Sequence, residues 1–183
     1  MKSENAEVLA QLLLDKHRLE RELRTDDITG LGNLRALRES LAARQGTRYG
    51  LLFIDIDYFK QVNETHGHLA ASGVLRDFGA MLGSLAAANG EQAYRYAGDE
   101  FVLILEQNLD TLMERAEALR RFVEARLFKV EGHQGKASLR ITVSIGARLS
   151  EADEAFEKIL SDADKALFEA KRKSRNAAVA YSA

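Results

Sequence analysis

Cysteine and proline are both missing from this chain of 183 residues. Without cysteine, disulfides, zinc–thiolate sites and thiol nucleophiles are excluded. A reducing compartment fits, and a cytoplasmic location is expected. Without proline, cis-proline turns and proline kinks play no part. An excess of one charge is lacking too, since 26 Lys and Arg stand against 28 Asp and Glu, a formal net charge of -2. Proteins that bind polymeric nucleic acid normally carry a basic face or stripe, so no nucleic-acid polymer is expected as a partner. A small triphosphate needs only a few local cations and stays allowed. No apolar run approaches the length that spans a bilayer. The opening residues, MKSENAEVL, lack the basic-then-apolar layout of a signal peptide, so no membrane partner is expected. There is no internal repeat and no low-complexity stretch, and no spacing of Ser, His and Asp implies a triad.

What is present is ordinary for a folded protein. Hydrophobic residues make up 46% and charged residues 30%, enough for a core without staples. The length predicts one domain with an appendage. Residues 5–24 read as one helix, with Leu9, Leu12, Leu19 and Leu23 at heptad spacing and Lys16 interrupting the seam. Two readings stay open for residues 1–25: a helix packed on its own domain, or a stalk that pairs two copies. The stalk is preferred because the helix precedes the first globular signals and has charged flanks.

The remainder, 26–183, is expected to form one domain. Residues 34–44 look helical. Tyr49 to Ile56 is an apolar run and reads as a buried strand. His68 to Ala88 reads as a helix. Ala93 to Tyr96 and Phe101 to Glu106 read as strands flanking Ala97-Gly98-Asp99-Glu100, a hairpin turn by composition. Leu109 to Arg126 reads as an amphipathic helix, Leu139 to Leu149 as a strand, Ala152 to Ser174 as a helix and Ala177 to Tyr181 as a closing strand. This order predicts an α/β (α+β) fold with a central, mostly antiparallel sheet flanked by helices.

Acidic residues sit where burial would be costly. Asp55 and Asp57 end the strand LLFIDID and, by alternation, point to one face. Asp99 and Glu100 occupy the hairpin turn. A strand end and a neighbouring turn can bring Asp55 near Asp99. Two such carboxylates repel and are most easily stabilised by a hard divalent cation, and Mg²⁺ is satisfied by one or two carboxylates, waters and substrate phosphates. Solvated acids at strand ends and turns are the ordinary alternative for either cluster alone. Cations accompany them. Lys60 follows Asp57 by one short turn, and Lys171, Arg172, Lys173 and Arg175 gather at the end of the last helix, where the helix dipole also favours them. His17, His66 and His133 are read as surface residues.

Together these pieces resemble the GGDEF family of diguanylate cyclases. The matching segments are DDITGLGN (26–33), FIDIDYFKQVNETHGH (53–68), YRYAGDEF (94–101), ITVSIG (141–146) and ADKALFEAKRKSRN (163–176), in the family's order and at its spacing. The resemblance implies a palm-like nucleotide cyclase fold that joins two purine nucleoside triphosphates into a cyclic dinucleotide. It implies Mg²⁺ or Mn²⁺ held by the Asp55 side chain, the Ile56 carbonyl and Asp99. Asp99 is also the candidate general base, beside Glu100, and Lys60 would stabilise the transferring phosphates. Lys171 and Arg175 would grip the distal phosphates. Phe59 would lie beside the nucleotide, with Asn63, His68 and Ser72 in its binding site. Each domain would hold one triphosphate, so two copies must face each other in a homodimer.

The match has departures. Ala97 replaces the first glycine of the family's turn, and a positive φ there would cost about 1 kcal/mol. Ser72 stands where the family has an aspartate that reads guanine. A hydroxyl donates or accepts and tolerates either purine, which implies relaxed selectivity resembling the Hypr branch, with GTP and ATP both used and cyclic GMP-AMP formed beside cyclic di-GMP. At Ala88-Asn89-Gly90-Glu91 the Arg-x-x-Asp product site of many relatives is absent, so no tight product feedback is expected there. Leu34 and Glu64 replace the usual Arg and Asp. A degenerate module that binds nucleotide or a partner without turnover stays open as the alternative. A mononucleotide cyclase fits the metal chemistry but not the hairpin.

Overall fold

The computed structural model describes residues 2–106, 109–132 and 135–182, except the side chains of residues 2–7, 9, 10, 17 and 109. The readings of Leu9, His17 and His133 as side chains therefore lie outside the described residues. The elements in chain order are α1 (Lys2–Glu22), α2 (Leu34–Ala42), β1 (Gly50–Ile56), α3 (Phe59–Ala88), β2 (Gln92–Ala97), β3 (Glu100–Leu105), α4 (Leu112–Ala125), β4 (Phe128–Gly132), β5 (Gly135–Leu139), β6 (Val143–Leu149), α5 (Phe156–Lys173) and β7 (Ala178–Ala180). Five strands form the main sheet in the order β2-β3-β1-β6-β7. Its pairs are antiparallel except β6 with β7, so the mostly antiparallel sheet expected from the sequence is present.

The strand β1 is buried along its whole length because it is central and covered on both faces. Alternation divides its side chains. Leu52, Ile54 and Ile56 join one core with Val74, Phe78 and Leu82 of α3 and with Ala116, Leu119 and Val123 of α4. Leu51 and Phe53 join a second core with Leu37 and Leu41 of α2 and with Ile159, Ala163 and Leu167 of α5. The helices thus sandwich the sheet in two layers. On the second face the next residue in the alternation is Asp55, which emerges where that core ends.

Several boundaries differ from the sequence reading. The helix expected from His68 begins at Phe59 and is interrupted at Gly67, whose φ is 84°. The expected strand 139–149 is two strands, β5 and β6, separated by 140–142. Between α4 and β6 lies a hairpin, β4 with β5, that the sequence reading missed. In the helix α1 the side chains of Leu12 and Leu19 are exposed, as is that of Leu23 just past its end, so none of the three is buried against the domain. Among the described residues no helix is long and apolar enough to cross a membrane.

Candidate active site

The site begins where β1 stops. Asp55 lies opposite Glu100 in the β1–β3 register, so both carboxylates stand on the sheet face that α5 covers. The Ile56 amide donates to the Asp99 carbonyl oxygen at 3.2 Å. A strand residue projects its N–H and C=O to the same side, so the Ile56 carbonyl also faces this turn. One cation enters from α5, with Lys171 Nζ at 2.7 Å from Asp55 Oδ2. The structure therefore brings Asp55, Ile56, Asp99, Glu100 and Lys171 together.

Burial pushes the Asp55 carboxyl up, Lys171 pulls it back, and Asp99 and Asp57 raise it again, leaving it above its ordinary value. Glu100 is raised as well, first by burial and then by Asp55, against the pull of Lys171. Two neighbouring acids that resist ionisation form a local excess of negative potential. Among the described residues no three His, Cys, Asp or Glu side chains converge as a ready metal cage. A hard cation that keeps waters and takes one or two carboxylates fits this donor set better than a structural metal would.

Asp57 does something different from its neighbour. Its two oxygens accept from Thr142 Oγ1 and Ser144 Oγ, each at 2.7 Å, and from the Asn176 amide at 2.9 Å. It is a buried acid spent on joining β1, β6 and the turn after α5. That turn is strained: Ser174, Arg175 and Asn176 all have positive φ, at 140°, 59° and 44°. Arg175 leaves it toward Tyr58, with the guanidinium carbon 4.6 Å from the ring centroid.

Other expected site residues lie along α3. Phe59 is half-buried and packs against the first core. The Lys60 ammonium is exposed and sits 3.6 Å from Glu64, one turn along. Asn63 buries its Oδ1 without a hydrogen-bond partner among the described residues. His68 is exposed and Ser72 half-buried, both beyond Gly67. Neither side chain has a hydrogen bond among the described residues, so the helix alone links them to the cluster.

The turn corrects one expectation. Ala97 does not have a positive φ; the left-handed residue is Gly98, at φ 49°. Ala97 pairs with Glu100 as the last residue of β2, after a bulge, so its methyl meets no positive-φ penalty there. Glu91, in the place of the absent product site, is engaged by Arg115 through two bonds of 2.6 and 2.7 Å. Sequence reasoning missed Arg95. It donates to Asp26 and to the Gly98 carbonyl, and its only signal was its presence in YRYAGDEF beside an acid in DDITGLGN.

A helix-covered, mostly antiparallel sheet, with carboxylates at a central strand end and in the adjoining hairpin turn, is the architecture of a palm-like nucleotide cyclase domain. Comparison with known proteins narrows this. A family model described as "Diguanylate cyclase, GGDEF domain" matches residues 23–177, and the chain belongs to that family. Response regulator PleD of Caulobacter vibrioides is 38% identical over 168 residues, covering 87% of this chain and 36% of that protein. Diguanylate cyclase VdcA of Vibrio cholerae is 34% identical over 154 residues, covering 82% of this chain and 45% of VdcA. The chain thus spans well under two thirds of these curated relatives. Among solved structures, the coiled coil and GGDEF domain of DgcB from Caulobacter crescentus, in complex with c-di-GMP, superposes with a TM-score of 0.87 at 29% identity, covering 97% of this chain and 96% of that one. Diguanylate cyclase SiaD of Pseudomonas aeruginosa, in complex with its activator SiaC, gives 0.77 at 28% identity, covering 98% of this chain and 73% of that one.

Proposed function

We propose that this chain is a dinucleotide cyclase that condenses two GTP molecules into cyclic di-GMP and accepts ATP as well. The observation that carries this reading is the meeting of Asp55, Asp99 and Glu100 at the end of β1, opposite Lys171. Family membership and relatives named diguanylate cyclase support the reaction class.

In the reaction, the 3′-hydroxyl of one nucleotide attacks the α-phosphate of the other, and the oxygen bridging to the β-phosphate leaves with pyrophosphate. A second, reciprocal attack closes the ring, so two pyrophosphates are released per product. Mg²⁺ or Mn²⁺, held by the Asp55 side chain, the Ile56 carbonyl and Asp99, would supply charge neutralisation for the phosphates. Asp99 and Glu100 are the bases for the hydroxyl proton. Burial and the nearby Asp55 raise the Glu100 pKa, which favours proton uptake by its carboxylate. Lys171 would trade Asp55 for the distal phosphates, joined there by Arg175, while Lys60 stabilises charge on the transferring group. Asn63 Oδ1, buried and unpaired, offers an acceptor to the base or ribose, with Phe59, His68 and Ser72 alongside.

One domain provides one half of such a site, so the active species is a homodimer with facing sites. The exposed Leu12 and Leu19 of α1, with Leu23 just past its end, supply an apolar stripe for pairing. Ser72 is the basis for ATP use and for cyclic GMP-AMP among the products. The test is pyrophosphate release from GTP, from ATP and from their equimolar mixture with Mg²⁺, with mass spectrometry of the products. Release that disappears in Asp99→Asn supports the reading. Nucleotide binding without any pyrophosphate would make the chain a non-catalytic module, and cyclic di-GMP alone from the mixture would remove the ATP claim.

A further inference from the structure

We infer that Tyr58 is a positioning residue whose ring face holds the Arg175 guanidinium in place and unneutralised, ready for a polyphosphate. The inference rests on the reading of Arg175 as a phosphate-gripping residue and adds the device that aims it.

Tyr58 is the second of the two residues between β1 and α3, directly before Phe59 and Lys60. Its φ is 56° and ψ 26°, a left-handed conformation that bulky residues rarely adopt. The residue is 53% exposed, so burial does not account for an aromatic in this conformation. What covers one face of the ring is Arg175, at 4.6 Å.

Arg175 arrives from the other side with equal constraint. The three residues from Ser174 to Asn176 all have positive φ and none is glycine. The turn is pinned at both ends. The Arg175 amide donates to the Ala170 carbonyl at 3.2 Å. The Asn176 amide donates to Asp57, while its side chain accepts from Arg120 and donates to Glu124, both at 2.7 Å. Strained backbone persists only where its surroundings over-determine it, and it gathers at sites that need a fixed geometry. Here the strain delivers one side chain onto one ring.

The chemistry of that contact matters. Among the described residues Arg175 forms no ion pair, although acidic side chains surround the nearby sheet end. An ion pair would hold the guanidinium but consume its charge and donors. A ring face holds the cation through its quadrupole and leaves the in-plane N–H groups free. The ring face therefore fixes where the cation sits while the fork remains available for phosphate oxygens.

The test is binding of inorganic tripolyphosphate with Mg²⁺, measured by calorimetry on the full chain, in a cycle of Tyr58→Leu, Arg175→Ala and the double variant. Leucine at this position carries the same left-handed penalty as tyrosine, and Tyr58→Phe keeps the ring, so thermal melts should match the wild type. Tyr58→Leu is expected to weaken binding about 2- to 5-fold, the range for an exposed cation–π contact. Tyr58→Phe should bind as the wild type does, and Tyr58→Leu should add nothing in the Arg175→Ala background. In turnover with GTP, the loss should fall on KM with kcat little changed. Unchanged or tighter binding in Tyr58→Leu overturns the inference, as does an equal loss when Arg175 is already alanine, or a wild type that binds no tripolyphosphate. Tripolyphosphate binding that follows the cycle in a protein releasing no pyrophosphate from GTP would sink the cyclase reading alone and leave the Tyr58–Arg175 device standing.

Discussion

Arg95 grips Asp26 through Nη1, at 3.0 and 3.1 Å from the two carboxylate oxygens, and spends its Nε and Nη2 on the Gly98 carbonyl at 3.0 and 2.7 Å. Asp26 begins the segment that follows α1, and Gly98 precedes Asp99 in the hairpin turn. One guanidinium therefore connects the segment after the N-terminal helix to the turn that carries Asp99, the proposed base. Asp26 is well prepared for this. Burial raises its pKa, but hydrogen bonds from Thr29 and Arg95 outweigh that and hold it low.

Replacing Arg95 by methionine removes both connections while keeping most of the volume. The carboxylate is then left with Thr29 alone, a loss of about 1–2 kcal/mol that lowers Tm by roughly 3–6 °C for a chain of this size. The larger effect is expected on turnover, because a misplaced Asp99 costs rate even when the fold survives, by about 100-fold per ångström of displacement. Pyrophosphate release from GTP measured well below the melting transition checks this. Turnover equal to the wild type would mean the turn holds its shape without Arg95.

Asp162 sets a pH dependence of stability that can be assigned to one residue. It is buried on α5, with Lys165 at 2.9 Å, Lys158 at 3.0 Å and Arg148 at 3.7 Å. The Lys165 bond lowers its pKa most, burial opposes, Lys158 lowers it further, and the result is about 2 against an ordinary 3.8. A depressed acid contributes stability that is fully present above its unfolded pKa and is lost as pH falls through its folded one. The Tm gap between wild type and Asp162→Asn should therefore be constant above pH 5 and shrink as the pH falls from 3.8 toward 2. Thermal melts across this range decide it, and a gap that persists at the lowest pH would assign the effect to packing.

The sequence made the strong periodic elements plain and hid the polar ones. LLFI could be read as the body of a buried strand because it is apolar throughout, and Asp55 and Asp57 at its end stood out by contrast. The turn of α3 from Phe59 to His66 was invisible because KQVNETH carries one aliphatic residue. The hairpin of β4 and β5 has a period-two signal, with Phe128 and Val130 buried and Lys129 exposed, but its five residues are too few to stand above charge. At the site, alternation put Asp55 and Asp57 on one face, and no rule of spacing could tell that one faces Lys171 while the other is taken by Thr142, Ser144 and Asn176. Tyr58 and Arg175 are 117 residues apart along the chain, so their contact exists only once β1 and α5 are packed.

Gly146 lies in ITVSIG, and its reason is also spatial. A Cβ there would sit 2.1 Å from the Ala163 carbonyl oxygen and 2.3 Å from the Leu167 amide nitrogen. Both are backbone atoms of α5, so neither can rotate aside. Gly146→Ala must push α5 off β6, opening the core around Ile159, Ala163 and Leu167. Overpacking of this kind costs about 1–3 kcal/mol or more, and Tm should fall by roughly 5–10 °C. Because α5 also carries Lys171, pyrophosphate release at 25 °C should drop in the same variant. A melt within 2 °C of the wild type would mean that the helix–sheet spacing is softer than the packing implies.

Ser72 offers the sharpest test of base selectivity, because restoring a carboxylate changes hydrogen-bond polarity without touching the phosphate end. On the reading that Ser72 faces the base, aspartate accepts from guanine N1–H and its exocyclic amine, whereas adenine presents an acceptor at N1 that the carboxylate repels. One such discriminator is worth about 1–3 kcal/mol. Ser72→Asp should therefore raise the GTP-over-ATP ratio of kcat/KM by about 5- to 150-fold and shift the products of an equimolar mixture toward cyclic di-GMP. Ser72 is half-buried on α3 and its side chain makes no hydrogen bond among the described residues, so the substitution breaks no existing hydrogen bond and the melt should stay near the wild type. If both the product ratio and the kcat/KM ratio are unmoved in a variant that melts normally, Ser72 does not touch the base, and selectivity must be set elsewhere along α3.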